Sequence, residues 1–199
     1  MAAGASSPAS AAAGAAGTLS LLGLPGAGKT TLGRQLATHY GRQFLDLDAA
    51  IVTAAGCSIP AIFAAEGEAG FRVREAAVLR QVLAAPGPPL VLATGGGTPC
   101  FHGNLAVLNA AGCTLWLDVP VPVLAARLAA AAETTSRPLL APTGATEQWL
   151  RETLAARKQF YRQAHVRCQG AACTVAAVVA QLAAAGFAPA PMASLPPVA

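Results

Sequence analysis

Charge is scarce in this chain. Of its 199 residues only 11% are charged, 13 Lys and Arg against 9 Asp and Glu, and the formal net charge is +4. The basic residues form no runs, which argues against nucleic acid as the main partner and suits small anionic ligands. Long apolar runs are missing as well. The hydrophobic share of 54% and the mean hydropathy of +0.51 owe most to alanine. The nearest approach to a membrane span, 175–185, is too short and is interrupted by Gln181, so a soluble protein is expected. No CxxC pair occurs among Cys57, Cys100, Cys113, Cys168 and Cys173. An odd number without CxxC argues against a disulfide framework or a zinc site and makes a reducing cytoplasm the default. Cys113 and Cys168 fall in apolar, strand-like runs, where cysteine acts as a small hydrophobe.

Targeting signals are also wanting. Residues 1–17 have neither the basic start and leucine-rich stretch of a secretory signal nor the arginines of a mitochondrial presequence. They read as a disordered extension, with a cleaved plastid-type leader as the alternative, and 186–199 reads as a disordered tail. Between them, 18–185 is long enough for one domain with a sizeable core.

What is present is organised around Gly23-Leu24-Pro25-Gly26-Ala27-Gly28-Lys29-Thr30, which matches the phosphate-loop pattern GxxxxGK(S/T) at every fixed position. Before it, Thr18-Leu19-Ser20-Leu21-Leu22 is short and apolar enough for a buried parallel strand. After it, Leu32, Leu36 and Tyr40 recur at the period of a helix with one buried face. The glycines allow a tight turn that aims successive N–H groups at a polyphosphate. In such loops the lysine, here Lys29, reaches the outer phosphates and the hydroxyl, here Thr30, holds magnesium. A nucleotide site is expected.

Gln43 to Asp48 reads as a second strand ending in two carboxylates, with Asp46 and Asp48 placed on one side by alternation, near the carboxyl end of an open parallel sheet. A magnesium and hydroxyl role is favoured over a helix N-cap before Ala49-Ala50-Ile51, though one aspartate can do both. Residues 58–66 and 68–84 are expected as two helical pieces punctuated by Gly67 and Gly70. In the second, Arg72, Ala76, Leu79 and Leu83 share a face, so Arg72 points inward. Either Glu75, three residues on, or a bound carboxylate can supply the anion that an enclosed guanidinium needs. Arg74 and Arg80 read as solvated charges. A third strand, Leu90 to Ala93, ends in Thr94-Gly95-Gly96-Gly97-Thr98-Pro99, where the glycines either permit close approach to a ligand or make a flexible loop.

A fourth strand at 111–118 precedes a helix at 122–131. The irregular stretch 133–146, carrying Arg137, is expected to be a lid (about 132–147) with an arginine suited to stabilising charge on a transferring group. Leu150, Leu154, Arg157 and Tyr161 make Arg157 a second arginine on an apolar helical face. His39 and His102 have no partner pattern, and His165 reads as a surface or capping residue. Val166-Arg167-Cys168 and 175–182 complete a fifth strand and a last helix. Strands alternating with helices imply a parallel sheet covered on both faces, an α/β/α sandwich.

Taken together, GLPGAGKTTLGRQLA at 23–37, FLDLD at 44–48, SIPAIFAAEGEAGFRVRE at 58–75, ATGGG at 93–97, RPLL at 137–140 and R-x3-Y at 157–161 make the chain resemble the shikimate kinase family over about 18–185. The phosphate loop is common to many families; its combination with DxD, GE-x2-FR-x2-E, GGG and RPLL is far more specific. The resemblance implies the P-loop NTPase fold, a three-layer α/β/α sandwich with a five-stranded parallel sheet. It implies an ATP-dependent kinase that phosphorylates the 3-hydroxyl of shikimate on the route to aromatic amino acids. ATP would lie on Gly26, Ala27, Gly28, Lys29, Thr30 and Thr31, with Mg²⁺ at Thr30 and Asp46 and Arg127 against adenine. Asp48 would bind the shikimate hydroxyls and help deprotonate the attacking one. Arg72 and Arg157 would take the carboxylate, with Glu75 supporting Arg72. Gly95, Gly96 and Gly97 would give backbone contacts, Phe63 and Phe71 would line the ring pocket, and Arg137 would be the lid arginine. Catalysis then rests on Lys29, Asp48 and Arg137. The implied setting is a cytoplasmic monomer with ATP and shikimate as partners and neither nucleic acid nor membrane.

Two departures stand out: the segment from Arg127 to Arg137 is longer than the family pattern, and Thr98-Pro99-Cys100 is a less usual sequel to the glycines. The competing readings are another small-molecule kinase of the same superfamily, such as a gluconate kinase, and a non-catalytic nucleotide-binding relative. Retention of Lys29, Asp48, Arg72 and Arg137 counts against the latter.

Overall fold

A strand enclosed on both faces has to be apolar almost throughout, and β1 (Thr18–Leu22) is: Leu19, Leu21 and Leu22 are fully buried. In the computed structural model, which describes residues 17–134, 143–170 and 173–187, β1 is the middle strand of five. It pairs with β3 (Leu90–Ala93) on one side and β4 (Gly112–Asp118) on the other. Outside these lie β2 (Gln43–Asp46), beside β3, and β5 (Val166–Gln169), beside β4. Every pairing is parallel, as the alternation of strands and helices led one to expect, and the order is β2-β3-β1-β4-β5.

Seven helices appear among the described residues: α1 (Lys29–Tyr40), α2 (Leu47–Ala55), α3 (Ile59–Ala84), α4 (Asn104–Ala111), α5 (Val121–Thr134), α6 (Thr143–Tyr161) and α7 (Val175–Ala184), with a 3-10 turn at Thr98–Cys100. Parallel crossovers are right-handed. The β1-to-β2 connection therefore lies on the opposite face from the β2-to-β3 and β3-to-β4 connections, which run the other way across the sheet. Accordingly α1 touches α7, while α3 touches α4. The chains leaving the adjacent strands β1 and β3 thus diverge to opposite faces and open a crevice at the strands' carboxyl ends. Thr94 ties the two ends together below it, its N–H and hydroxyl donating to Leu21 O at 3.2 and 2.9 Å.

Several local expectations change. β2 stops at Asp46, and Asp48 lies in the first turn of α2 rather than on the strand. Asp46 Oδ1 accepts the Asp48 N–H at 3.1 Å and so caps α2; a helix turn, not strand alternation, positions Asp48. α3 contains both expected pieces, broken at Gly67 (φ 67°, ψ −173°), a conformation that only glycine adopts cheaply. Arg74 bridges this break, bonding Glu66 at 2.7 and 2.6 Å. Arg80 is exposed, as expected of a solvated charge, but it is also tethered. It donates to Ala76 O, Asn104 Oδ1 and His102 O at 2.9, 3.0 and 2.8 Å, clasping α3 to the start of α4. His165 Nδ1 accepts from Thr114 N at 3.2 Å, and its own N–H donates to Thr114 Oγ1 at 3.0 Å, so it joins β4 to the approach of β5. Burial lowers its pKa.

α6 begins at Thr143, so helix replaces the later part of the expected irregular lid; Arg137 and the rest of 135–142 lie outside the described residues, as do 1–16 and 188–199. At the other end, packing continues past 185. Phe187 is 1% exposed, edge-on to the Tyr40 ring at 5.7 Å and with Arg42 Cζ 4.7 Å above it. Arg42 Nη1 also donates to Gly17 O at 2.6 Å, so one arginine fastens both ends of the folded unit. Cys113 and Cys168 are buried in β4 and β5, and the five cysteines are free thiols. Among the described residues no single helix is long and apolar enough to cross a membrane. Phe187→Ala should lower the unfolding free energy in urea by about 3–5 kcal/mol; a loss below about 1 kcal/mol would remove Phe187 from the core.

Candidate active site

A cleft of about 630 Å³ opens where the five strands end. Its walls are the phosphate loop after β1, Asp46 and Asp48 after β2, Thr94, Gly95 and Gly96 after β3, Val119 after β4, and Cys173 and Thr174 before α7. Gly26, Ala27, Gly28, Lys29, Thr30 and Thr31 all face it. Gly28 takes a left-handed φ of 92° and precedes α1 with no side-chain cap. The first N–H groups of α1 are thus left without a capping side chain, which suits a bound anion. Lys29 Nζ donates to Gly23 O and Leu24 O at 2.8 and 3.0 Å. Burial pulls its pKa down to about 8, with Asp48 and Asp46 pulling the other way. Thr30 Oγ1 donates to Asp46 Oδ2 at 2.9 Å, so a hydroxyl and a carboxylate oxygen stand together beside the loop. Arg127 Nη1 donates to Gly26 O at 3.2 Å, which lays that side chain over the loop.

Asp48 opens to solvent on the cleft side, but protein crowds its other sides. That desolvation pushes its carboxyl above the ordinary carboxylate range, Asp46 and Glu75 add to the push, and Lys29 and Arg72 oppose it.

Across the cleft the three glycines form a packed turn, not a flexible loop. A methyl on Gly95 would lie 3.0 Å from Thr98 Oγ1, 3.1 Å from Glu75 Oε1 and 3.2 Å from Asp48 Oδ1. One on Gly96 would lie 3.0 Å from Arg157 Nη1 and 3.2 Å from Pro25 Cδ, and one on Gly97 only 2.5 Å from Arg72 Nη2. Both inward arginines thus rest on this turn, just beyond the cleft wall. Arg72 is 8% exposed and Glu75 wholly buried. Arg72 Nη1 donates to Glu75 Oε2 at 2.9 Å, and its Nε and Nη2 donate to Glu68 Oε1 at 3.3 and 3.1 Å. The Phe101 ring lies 4.4 Å from its Cζ. Tyr161, one turn beyond Arg157 on α6, donates its hydroxyl to Gly96 O, and burial pushes this phenol up to about 12.

The expected residues are therefore brought together, with exceptions. Phe63 and Phe71 stack on each other at 4.6 Å; Phe71 is buried in the core and Phe63 is half exposed. Neither faces the cleft described above. Arg137 lies outside the described residues. Sequence reading missed Glu68, whose i, i+4 spacing to Arg72 was the available signal. It also missed Thr98, Phe101 and the Tyr161 bond, which depend on contacts between distant segments.

A family model described as "Shikimate kinase" matches residues 25–185. The chain belongs to the shikimate kinase family. Within that family, shikimate kinase from Neisseria gonorrhoeae is 44% identical over 147 residues, 74% of this chain and 83% of that one. A shikimate kinase from Acinetobacter baumannii, solved in complex with shikimate, superposes with a TM-score of 0.73 at 40% identity, covering 88% of this chain and 97% of that one. A gluconokinase from Sinorhizobium meliloti gives a TM-score of 0.52 at 17% identity over 85% and 90%, and so shares the fold alone. For this shikimate kinase family member, Gly97→Ala is informative because the native φ of −91° suits alanine and only the clash with Arg72 remains. A crystal structure of the variant should show the guanidinium displaced from Glu75. An unmoved Arg72 would show that the turn yields instead.

Proposed function

We propose that this chain transfers the γ-phosphoryl group of ATP to the 3-hydroxyl of shikimate, supplying the route to chorismate and the aromatic amino acids. The observation that carries the reading is the pairing, about one cleft, of a phosphate loop with a three-glycine turn on which two guanidinium groups rest. The first suits a nucleoside triphosphate and the second a small acceptor with a carboxylate. Family membership and the shikimate complex of the Acinetobacter baumannii relative support the same acceptor.

Phosphoryl transfer asks a protein mainly for positioning and charge neutralisation. In this reading Lys29 and the N–H groups of 26–31 hold the ATP phosphates, and Arg127 borders the nucleotide on the loop side. The Thr30 hydroxyl and the Asp46 carboxylate hold Mg²⁺. Hard oxygen donors fit that ion, and because it usually keeps waters and substrate phosphates as ligands, two protein oxygens suffice. Bound there, Mg²⁺ supplies positive charge to the transferring phosphates. Asp48 orients the acceptor hydroxyls and takes the proton of the attacking one. Arg72, held by Glu75, and Arg157 take the acceptor carboxylate, with Gly95, Gly96 and Gly97 offering backbone contacts; a place for Phe63 and Phe71 behind the ring rests on the family resemblance alone, since neither faces the cleft. Arg137 serves as the lid arginine on the phosphates, a role that rests on the family resemblance. The folded unit 17–187 is assigned as the catalytic domain, acting as a cytoplasmic monomer. Every group named lies on one chain, the free thiols suit a reducing compartment, and the dispersed charge suits neither nucleic acid nor membrane surfaces.

The deciding assay is ADP release from ATP and Mg²⁺ with shikimate, against gluconate and no acceptor. Release that requires shikimate is expected; release with gluconate alone would overturn the acceptor assignment. Asp48→Ala should cut turnover by at least about a thousandfold while ATP binding, followed by calorimetry, is retained. Retained turnover would take Asp48 out of the mechanism. Arg157→Ala should raise the shikimate KM by about ten- to a hundredfold, and an unchanged KM would sink its carboxylate role.

A further inference from the structure

Thr98 follows directly on the three glycines, and its hydroxyl has a definite partner. The residue opens the 3-10 turn, is fully buried, and donates from Oγ1 to Glu75 Oε1 at 2.6 Å. Glu75 gives its other oxygen to Arg72 Nη1 at 2.9 Å. One buried carboxylate is thus shared between the glycine turn and the guanidinium. The Thr98 backbone is fixed as well. Its N–H donates to Gly95 O at 3.2 Å, its carbonyl accepts from Asn104 Nδ2 at 3.1 Å, and Asn104 Oδ1 accepts from Arg80 Nη1 at 3.0 Å. The hydroxyl is therefore held in place from the α4 side while it acts on α3.

An enclosed carboxylate is costly unless donors face its oxygens. Glu75 Oε1 and Asp48 Oδ1 both border Gly95, and the Glu75 charge acts on the Asp48 carboxyl. Without the Thr98 hydroxyl, Oε1 keeps a like-charged neighbour and loses its short hydrogen bond. The carboxylate then has reason to turn, and the Arg72 Nη1 that rests on its other oxygen turns with it. The other carboxylate that Arg72 bonds, Glu68, is largely exposed, so Glu75 is its buried anionic anchor.

We propose that Thr98 is a positioning residue for acceptor binding: through Glu75 it sets the plane of the Arg72 guanidinium and locks that arginine to the three-glycine turn. This rests on the reading of Arg72 as a ligand of the acceptor carboxylate. A purely structural role would affect stability and all kinetic constants alike; a positioning role falls on one substrate.

Thr98→Val keeps the shape and removes the donor, Thr98→Ser keeps the donor, and Thr98→Ala serves in place of valine should that variant fold poorly. Full-length proteins are assayed with shikimate varied at saturating ATP and Mg²⁺, and with ATP varied at saturating shikimate. Thr98→Val should raise the shikimate KM about tenfold, with kcat and the ATP KM within about twofold of the parent, and Thr98→Ser should restore the shikimate KM to within about twofold. In a Glu75→Gln background Thr98→Val should add less than about twofold, because the hydroxyl acts through that carboxylate. An unchanged shikimate KM in Thr98→Val, parallel loss in every constant without rescue by serine, or full additivity with Glu75→Gln overturns the proposal. Arg72→Lys separates the two layers. If it leaves the shikimate KM unchanged, the reading of the acceptor site falls. If it raises that KM while Thr98→Val does not, only the role of Thr98 falls.

Discussion

A carboxylate with no exposure to water is the constraint around which the three-glycine side of the cleft is arranged. Glu75 is enclosed by α3, the three-glycine turn and the cleft floor, and an unpaired charge there would destabilise the fold by several kcal/mol, as an order of magnitude. The fold meets the cost with two donors from different segments, a guanidinium three residues along the same helix and a hydroxyl from the turn after β3. Satisfying the charge therefore also fixes the relative placement of α3 and the glycine turn. The absence of side chains at Gly95, Gly96 and Gly97 follows from the same crowding. Methyl groups there would collide with the carboxylates and arginines the turn is built to receive.

The nucleotide side depends on a different principle. A parallel sheet gathers its strand carboxyl ends at one edge, and the divergence of the connections after β1 and β3 leaves the crevice. Into it the phosphate loop presents backbone N–H groups, while Lys29 is folded back on the loop carbonyls at 2.8 and 3.0 Å. Its lowered pKa and the raised one of Asp48 have the same first cause, desolvation. The two groups temper one another, so the cleft holds opposite charges close together in a place where water screens them weakly. The likeness to the gluconokinase is one of fold alone. On that fold this chain sets a pair of arginines against the glycine turn, a feature of residues rather than of topology.

Much of this was legible in advance where the physics is local. The phosphate loop needs fixed residues at fixed spacing, so Gly23 to Thr30 could be read directly. The apolar run of β1 and the helical period that turns Arg72 and Arg157 inward were equally plain, because burial periodicity is written in one short segment. The sequence order of strands and helices implied the parallel sheet. By contrast, the second strand was read two residues too long. Whether Asp46 continues a strand or caps a helix depends on where its carboxylate finds a donor, and that donor is the Asp48 N–H. The tether of the exposed Arg80 likewise went unread, because two of its partners lie 22 and 24 residues away.

Sequence alone, then, settled the chemistry on offer: a phosphate-binding loop, carboxylates beside it, and two arginines facing inward. Periodicity and spacing are properties of neighbouring residues, and they survive in a string of letters. Tertiary structure alone decided what those groups rest against. It gave the Glu75 charge to Thr98 as well as to Arg72, pinned the glycine turn to α6 through Tyr161, and drew Phe187 into the core against Tyr40 and Arg42. Most of these contacts join segments far apart in the chain, and the balance of desolvation against hydrogen bonding that selects them exists only once those segments have packed.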